Sequence, residues 1–290
     1  MSIDKMQDKI RKLKNPSIIS WILNPDQVPA NTRTGDDLGD WHHYCKTVMN
    51  GLKGLVPAMR FDFASFAVRG AAGVELLTSV LKDAGQMGYY VLLDAPEVLS
   101  AASAELVAAG ILGENSQFPC DGVVLSTYLG SDVLKPFLSY CGGKEKDLFC
   151  VVRTGNRSAA ELQDLLTGTR LVHHVAADMV NRCGKDYFGQ TKYSRVAALA
   201  SAGSAESLRS LRSKFPNLFL LVDGYDYPGA NAKNCSQAFD KFGHGAAVCA
   251  ADSVTAAWRQ TESDGSDYLE LAVAAAERIK KNLTRYLTIL

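Results

Sequence analysis

Nine side chains with chemistry to offer fall at or just beyond the ends of apolar runs: Arg60, Asp62, Asp94, Glu97, Thr127, Arg153, Asp223, Asp226 and Asp252. Acids outnumber bases in this set, so a site built from it is electronegative. Ordinary solvated loop charges are the simpler account of such a cluster. The functional account is a pocket for a cationic or polyhydroxylated ligand, with Tyr225 and Tyr227 as amphipathic walls. Asp94 stands out because Tyr90 to Leu93 reads as a buried strand that delivers it directly to a strand end, ahead of a turn through Pro96 and an Ala-rich helix.

These residues are positioned by eight short apolar runs, Ile18 to Leu23, Ala58 to Phe61, Tyr89 to Leu93, Gly122 to Ser126, Leu148 to Val152, Arg195 to Ala200, Leu218 to Val222 and Ala246 to Ala250. Several are nearly unbroken, as strands buried on both faces are, and helical segments separate them. Helices are predicted over Trp41 to Leu55, Gly73 to Met87, Ala159 to Leu166 behind Ser158, Leu171 to Cys183, Ala205 to Lys214 behind Ser204, and Tyr268 to Tyr286. The polar inserts Asn24 to Asp40 and Lys185 to Lys192 read as mobile loops. Eight strands with crossover helices predict an α/β fold, a (β/α)8 TIM barrel, occupying residues 1–290 as one domain. In such a barrel the strands' carboxyl ends form the reactive face.

Composition excludes several function classes. Lys plus Arg and Asp plus Glu both number 31 in 290 residues, for zero formal charge and a pI near 6.9, which argues against nucleic acid or an anionic membrane as partner. The seven cysteines are scattered without a C-x-x-C pair, so neither a disulfide framework nor a structural zinc site is expected. The N-terminal residues 1–16 read as a charged amphipathic helix, and no stretch has the length of a membrane span. A soluble cytoplasmic protein without metal or cofactor is the expectation.

Several separated segments, in order, resemble the orotidine 5'-phosphate decarboxylase family, in particular its longer bacterial type. Asn15-Pro16-Ser17-Ile18-Ile19-Ser20-Trp21-Ile22 is similar to N-P-T-V-V-G-L-D, and Val56-Pro57-Ala58-Met59-Arg60 to V-P-A-V-K. Asp94-Ala95-Pro96-Glu97-Val98-Leu99 stands where the family has D-x-K-x-x-D. Leu125 to Asp132 resembles V-N-P-Y-L-G-x-D. Val152-Arg153-Thr154-Gly155-Asn156 resembles V-R-T-S-N, Glu161-Leu162-Gln163-Asp164 resembles E-x-Q-D, and Leu221-Val222-Asp223-Gly224-Tyr225 opens the counterpart of L-V-P-G-Y-G-A-Q-G-G.

The resemblance implies a homodimeric carboxy-lyase in which a lysine and several carboxylates, one from the partner subunit, surround the pyrimidine carboxylate. Here the first acid falls on Ile22, the strand-2 lysine on Arg60, the proton-donating lysine on Pro96 and the cross-dimer aspartate on Leu99; Asp94 alone is retained. Proline donates no proton, and arginine, with a pKa above about 12, is no general acid near neutrality. The phosphate-gripping glutamine falls on Pro228 and the arginine on Asp252. That exchange reverses an attraction worth about 4 kcal/mol for a contact at ~4 Å and an effective dielectric of 20. A catalytically inactive homologue, a pseudoenzyme with a binding or regulatory role, is therefore expected. It would be a homodimer taking a small-molecule ligand at the barrel mouth through Arg60, Asp62, Thr127, Arg153, Asp223, Tyr225 and Asp252. The alternatives are a still-active decarboxylase forming UMP in de novo pyrimidine biosynthesis, and a lyase or isomerase acting on a non-phosphorylated ligand.

Other candidates carry less. His42-His43 and His173-His174 are sequence neighbours on predicted helices, so each pair is expected to point to different faces rather than chelate together. Ser126, Ser201 and Ser253 lack a histidine in triad-compatible context. Cys249 reads as a small core residue.

Overall fold

The computed structural model describes residues 2–143 and 145–290. Strands β1 (Ser17–Trp21), β2 (Ala58–Asp62), β3 (Tyr90–Asp94), β4 (Gly122–Ser126), β5 (Asp147–Arg153), β8 (Val196–Ser201), β9 (Leu220–Asp223) and β10 (Ala246–Ala250) close into one parallel barrel in that order, β10 pairing with β1. The expected (β/α)8 architecture is what forms. A two-stranded hairpin, β6 (Leu166–Thr167) and β7 (Arg170–Leu171), lies outside the barrel.

Because side chains alternate along a strand, each barrel strand divides its residues between two cores. Ile18, Ala58, Tyr90, Leu92, Val124, Phe149, Leu199, Leu221 and Ala247 fill the barrel interior. Ile19, Trp21, Met59, Phe61, Val91, Leu93 and Val222 pack outward against the helices. Helix α1 (Ser2–Leu13) closes the amino-terminal end by burying Ile3, Met6 and Ile10 against the interior set. The sequence segment expected as an N-terminal helix is thus a barrel plug; its first residue, Met1, lies outside the described residues.

Most helices stand where their caps place them. Asp36 accepts from the Gly39 amide and starts α2 (Asp37–Gly51), four residues ahead of the expected Trp41. Ser100 and Ser103 form a reciprocal capping box at α5 (Ala101–Leu112), and Ser204 caps α8 (Ala205–Lys214). Helices α4 (Gly70–Gln86), α7 (Val172–Cys183) and α11 (Tyr268–Thr284) match the expected crossovers.

The helix expected over Ala159 to Leu166 does not form. Residues Arg157–Glu161 make a 3-10 turn, and the chain then enters the β6–β7 hairpin, whose turn holds Gly168 at φ +64°. Tertiary bonds override the local preference: the Thr154 amide donates to the Gln163 side chain at 2.8 Å, and Arg153 grips Asp164. The two inserts are tied rather than free. Gln27 and Val28 are buried, and Asp4 of α1 accepts from the amides of Gln190 and Thr191 at 3.0 and 2.9 Å. Among the described residues no helix is long and apolar enough to cross a membrane.

Candidate functional site

The pleat that buries Ala58, Leu92 and Leu221 inside the barrel carries Arg60, Asp94 and Asp223, two residues further along their strands, into the uppermost interior layer. There Arg60 joins the two acids. Its Nε donates to Asp94 Oδ1 at 2.7 Å and its Nη1 to Asp223 Oδ1 at 2.5 Å, with the arginine side chain only 11% exposed. Burial disfavours the guanidinium charge, but Asp94 and Asp223 more than offset it and hold Arg60 protonated above the ordinary arginine range. Burial raises the Asp94 carboxyl above its usual value; Arg60 opposes this, and the charges of Asp223 and Asp62 add to it.

The Arg60–Asp94 pair partitions the mouth. On one side lies a cavity of about 190 Å³ bounded by Ser20, Asp62, Asp223, Asp226, Tyr227 and Cys249, with Arg60 and Asp94 at its wall. On the other lies a cavity of about 230 Å³ bounded by the same pair together with Pro96, Glu97, Val98, Ser126 and Val151. Arg60 and Asp94 line both cavities. Four carboxylates and one guanidinium border the smaller cavity, so its field is negative, as the strand-end residues predict. Burial pushes the Cys249 thiol up to about 12, leaving it protonated and unreactive at neutral pH.

A second carboxylate shapes the turn after β10. Asp226 Oδ2 accepts from the amides of Ala251 at 2.8 Å and Ser253 at 3.2 Å. Barrels of this class commonly bind a phosphate with the loops after the last two strands, through amides of this kind. Here an internal anion already occupies them. Asp252 faces away from the cavity and accepts from Gln27 Nε2 at 3.0 Å.

The remaining predicted residues disperse. Asp62 borders the cavity while its carboxylate caps the short helix α3 (Phe63–Ala67) through the Ser65 amide at 2.8 Å. Thr127 is 1% exposed, its hydroxyl donating to the Val151 carbonyl, and it borders neither mouth cavity. Tyr225 packs against the helical shell near Asn282 instead of walling the mouth. Arg153 is turned out of the mouth by a register shift between Val151 and Arg153 where β5 pairs with β8, a bulge that re-aims the side chain toward Asp164. Pro96 and Glu97 border the larger cavity, whereas Leu99 is 79% exposed and points to solvent.

No family model matches the chain. The orotidine 5'-phosphate decarboxylase of Rhodopirellula baltica is 29% identical over 248 residues, covering 83% of this chain and 82% of that protein. The orotidine 5'-phosphate decarboxylase of Petrotoga mobilis is 23% identical over 287 residues, covering 98% of both. The chain is a homologue of the orotidine 5'-phosphate decarboxylases. Among solved structures, Leishmania donovani OMP decarboxylase superposes with a TM-score of 0.76 at 19% identity over 99% of both chains, which fixes the shared barrel.

Within this decarboxylase-type barrel, sequence reasoning missed two arrangements. The role of Asp226 was hidden because its partner amides carry no side-chain signature. The packing of His173 against His174, with ring centroids 4.5 Å apart, contradicts the expectation that the pair diverges. Both rings border one cavity because α8 lies against the first turn of α7 and gathers them from adjacent positions.

Proposed function

We infer that this homologue has lost orotidylate decarboxylation and retains the barrel mouth as a binding site for an uncharged or cationic small molecule. The observation that carries the reading is the Asp226 carboxylate seated on the Ala251 and Ser253 amides. A phosphate dianion arriving there meets a fixed negative charge and amides whose hydrogen bonds are already made. Resemblance to D-x-K-x-x-D puts Pro96 where the proton donor belongs, and proline has no proton to give.

The exposed Leu99, Leu106 and Leu129 lie on the loops and helix after β3 and β4 and supply apolar area for pairing two copies through that face. Such a homodimer would offer a leucine, not a carboxylate, to its neighbour's mouth.

The test is direct. Purified protein is incubated with orotidine 5'-monophosphate carrying a labelled carboxyl group, and released carbon dioxide is counted; in parallel the melting temperature is followed during titration with UMP. The expected results are no release above background and no thermal shift. Enzyme-like release, or stabilisation that grows with the logarithm of UMP concentration, overturns the reading.

A further inference from the structure

Outside the barrel mouth, between α7 and α8, a second cavity of about 250 Å³ is bounded by Asp164, Leu171, His173, His174, Glu206 and Ser207, among others. Three of these side chains are in series. His173 Nδ1 lies 2.9 Å from the Gln163 carbonyl oxygen and 3.2 Å from Asp164 Oδ1, and His173 Nε2 lies 3.3 Å from Ser207 Oγ.

The carbonyl settles the tautomer. A carbonyl oxygen only accepts, so Nδ1 carries the proton, Nε2 presents its lone pair, and the Ser207 hydroxyl donates to it. Gln163 is itself held by Thr154, whose amide donates to Oε1 at 2.8 Å and whose hydroxyl accepts from Nε2 at 2.9 Å. Asp164 is fixed from behind by two parallel bonds from Arg153, Nε to Oδ1 at 2.9 Å and Nη2 to Oδ2 at 2.8 Å.

We propose that Ser207, His173 and Asp164 form a hydrolytic triad that transfers short acyl groups from esters to water. Nucleophile, base and orienting carboxylate stand in the order that chemistry requires, and it is geometry, not chain order, that defines such a site. Ser207 attacks the ester carbonyl carbon through Oγ while its proton passes to His173 Nε2. The carbon–oxygen bond to the alcohol breaks, and the alcohol leaves with that proton. Water then attacks the acyl-serine by the same route, releasing the carboxylic acid and restoring the hydroxyl. Asp164 stabilises the imidazolium formed in each half without taking the proton; it is a positioning residue, as is Arg153.

Surroundings agree with this assignment. Ser207 is in the first turn of α8, whose ten residues begin with amides that have no acceptor within the helix, and its side chain leans toward that end. The Ser207 amide is taken by Ser204 Oγ at 3.2 Å, so the amides of Ala205 and Glu206 are the groups left to a developing oxyanion. His173 is 2% exposed, and burial lowers its pKa and favours the neutral base, while Ser207 itself borders the cavity.

The experiment uses the full chain. A fluorophosphonate probe is added to the folded protein, and modified peptides are identified by mass spectrometry; separately, p-nitrophenolate release from p-nitrophenyl acetate is followed across pH. Expected are an adduct on Ser207 and turnover that drops roughly 100-fold or more in Ser207→Ala and in His173→Gln, the usual worth of nucleophile and base. Asp164→Asn, which retains side-chain shape but removes the charge that raises the His173 pKa, is expected to slow turnover and move the acid limb of the pH profile to lower pH, an effect that a packing role would not produce. Absence of a Ser207 adduct in the wild-type protein overturns the proposal whatever the variants do. Equal turnover in folded Ser207→Ala overturns it as well.

Discussion

The ring of Tyr227 lies across Gly155 so closely that a Cβ on that glycine would sit 2.1 Å from Tyr227 Cε2. The same ring excludes a Cβ from Gly224, which also holds φ at +80°. Tyr227 borders the smaller mouth cavity and donates to Asp223 at 3.3 Å; the Asp223 charge and burial push its phenol up to about 12. In the family patterns that these segments resemble, the position of Gly155 is a serine and that of Tyr227 an alanine. The ring at 227 and the missing side chain at 155 are therefore complementary, since a serine at 155 has no room beside Tyr227.

That coupling is measurable. Gly155→Ser is expected to destabilise the fold by about 1–3 kcal/mol, the ordinary cost of overpacking. Tyr227→Ala alone removes a part-exposed ring and its hydrogen bond to Asp223 and is expected to cost about 1 kcal/mol. The double variant should cost less than the sum by at least about 0.5 kcal/mol in a urea-denaturation cycle. Strict additivity would mean that the ring does not occupy the space over Gly155.

Arg60 gives a second expectation. Its removal leaves Asp94 and Asp223 facing one another without their common partner. Breaking a largely buried pair from one side typically costs about 3–5 kcal/mol, so Arg60→Met should lower stability by that order at pH 7.5. The sign with pH follows from the acids. Protonating either carboxylate removes the repulsion, and Asp94 already titrates above its ordinary range, so the deficit should shrink as the solution is acidified toward pH 4. A deficit that stays constant between the two pH values would assign the loss to packing.

Asp226 supplies a third. Asp226→Ala removes the carboxylate from the Ala251 and Ser253 amides and should cost about 1–2 kcal/mol, as loss of a charged acceptor from backbone donors does. With the internal anion gone, inorganic phosphate at millimolar concentration is expected to raise the melting temperature of the variant and leave that of the wild type unchanged. No phosphate response in the folded variant would show that these amides are not aimed at the mouth.

What could be read from the sequence, and what could not, divides by range of interaction. The barrel was legible because apolar runs such as Gly122–Ser126 and Ala246–Ala250 owe their character to burial on both faces, which is written into composition. Asp94, Asp223 and Arg60 converge because strand ends and a two-residue period carry over from sequence to space. Three features were not legible for the same kind of reason. The bulge that withdraws Arg153 depends on pairing with β8; the collapse of the expected 159–166 helix depends on Thr154 and Arg153 outbidding local propensity; and the meeting of His173 with Ser207 depends on how α7 and α8 are laid side by side. None of these leaves a periodic trace in the chain.

The His173 environment makes the last expectation, one of pH. Desolvation lowers its pKa below the ~6.5 of an unfolded chain, against the opposing pull of the Gln163 carbonyl and Asp164 and with a further push from Arg153. A histidine whose folded pKa is depressed binds its proton more readily when unfolded, so stability is complete above about pH 6.5 and falls as pH drops toward the folded value. The slope in that window cannot exceed about 1.4 kcal/mol per pH unit for one group. His174, also lowered by desolvation, with His173, Lys214 and Arg170 nearby, acts in the same direction. Chemical denaturation of the wild type at intervals from pH 5 to pH 8 should trace this loss, and His173→Gln should flatten it by the share of one group. If the two curves run parallel, His173 takes up its proton in the fold as easily as in water, and the neutral imidazole required beside Ser207 is not what the protein maintains.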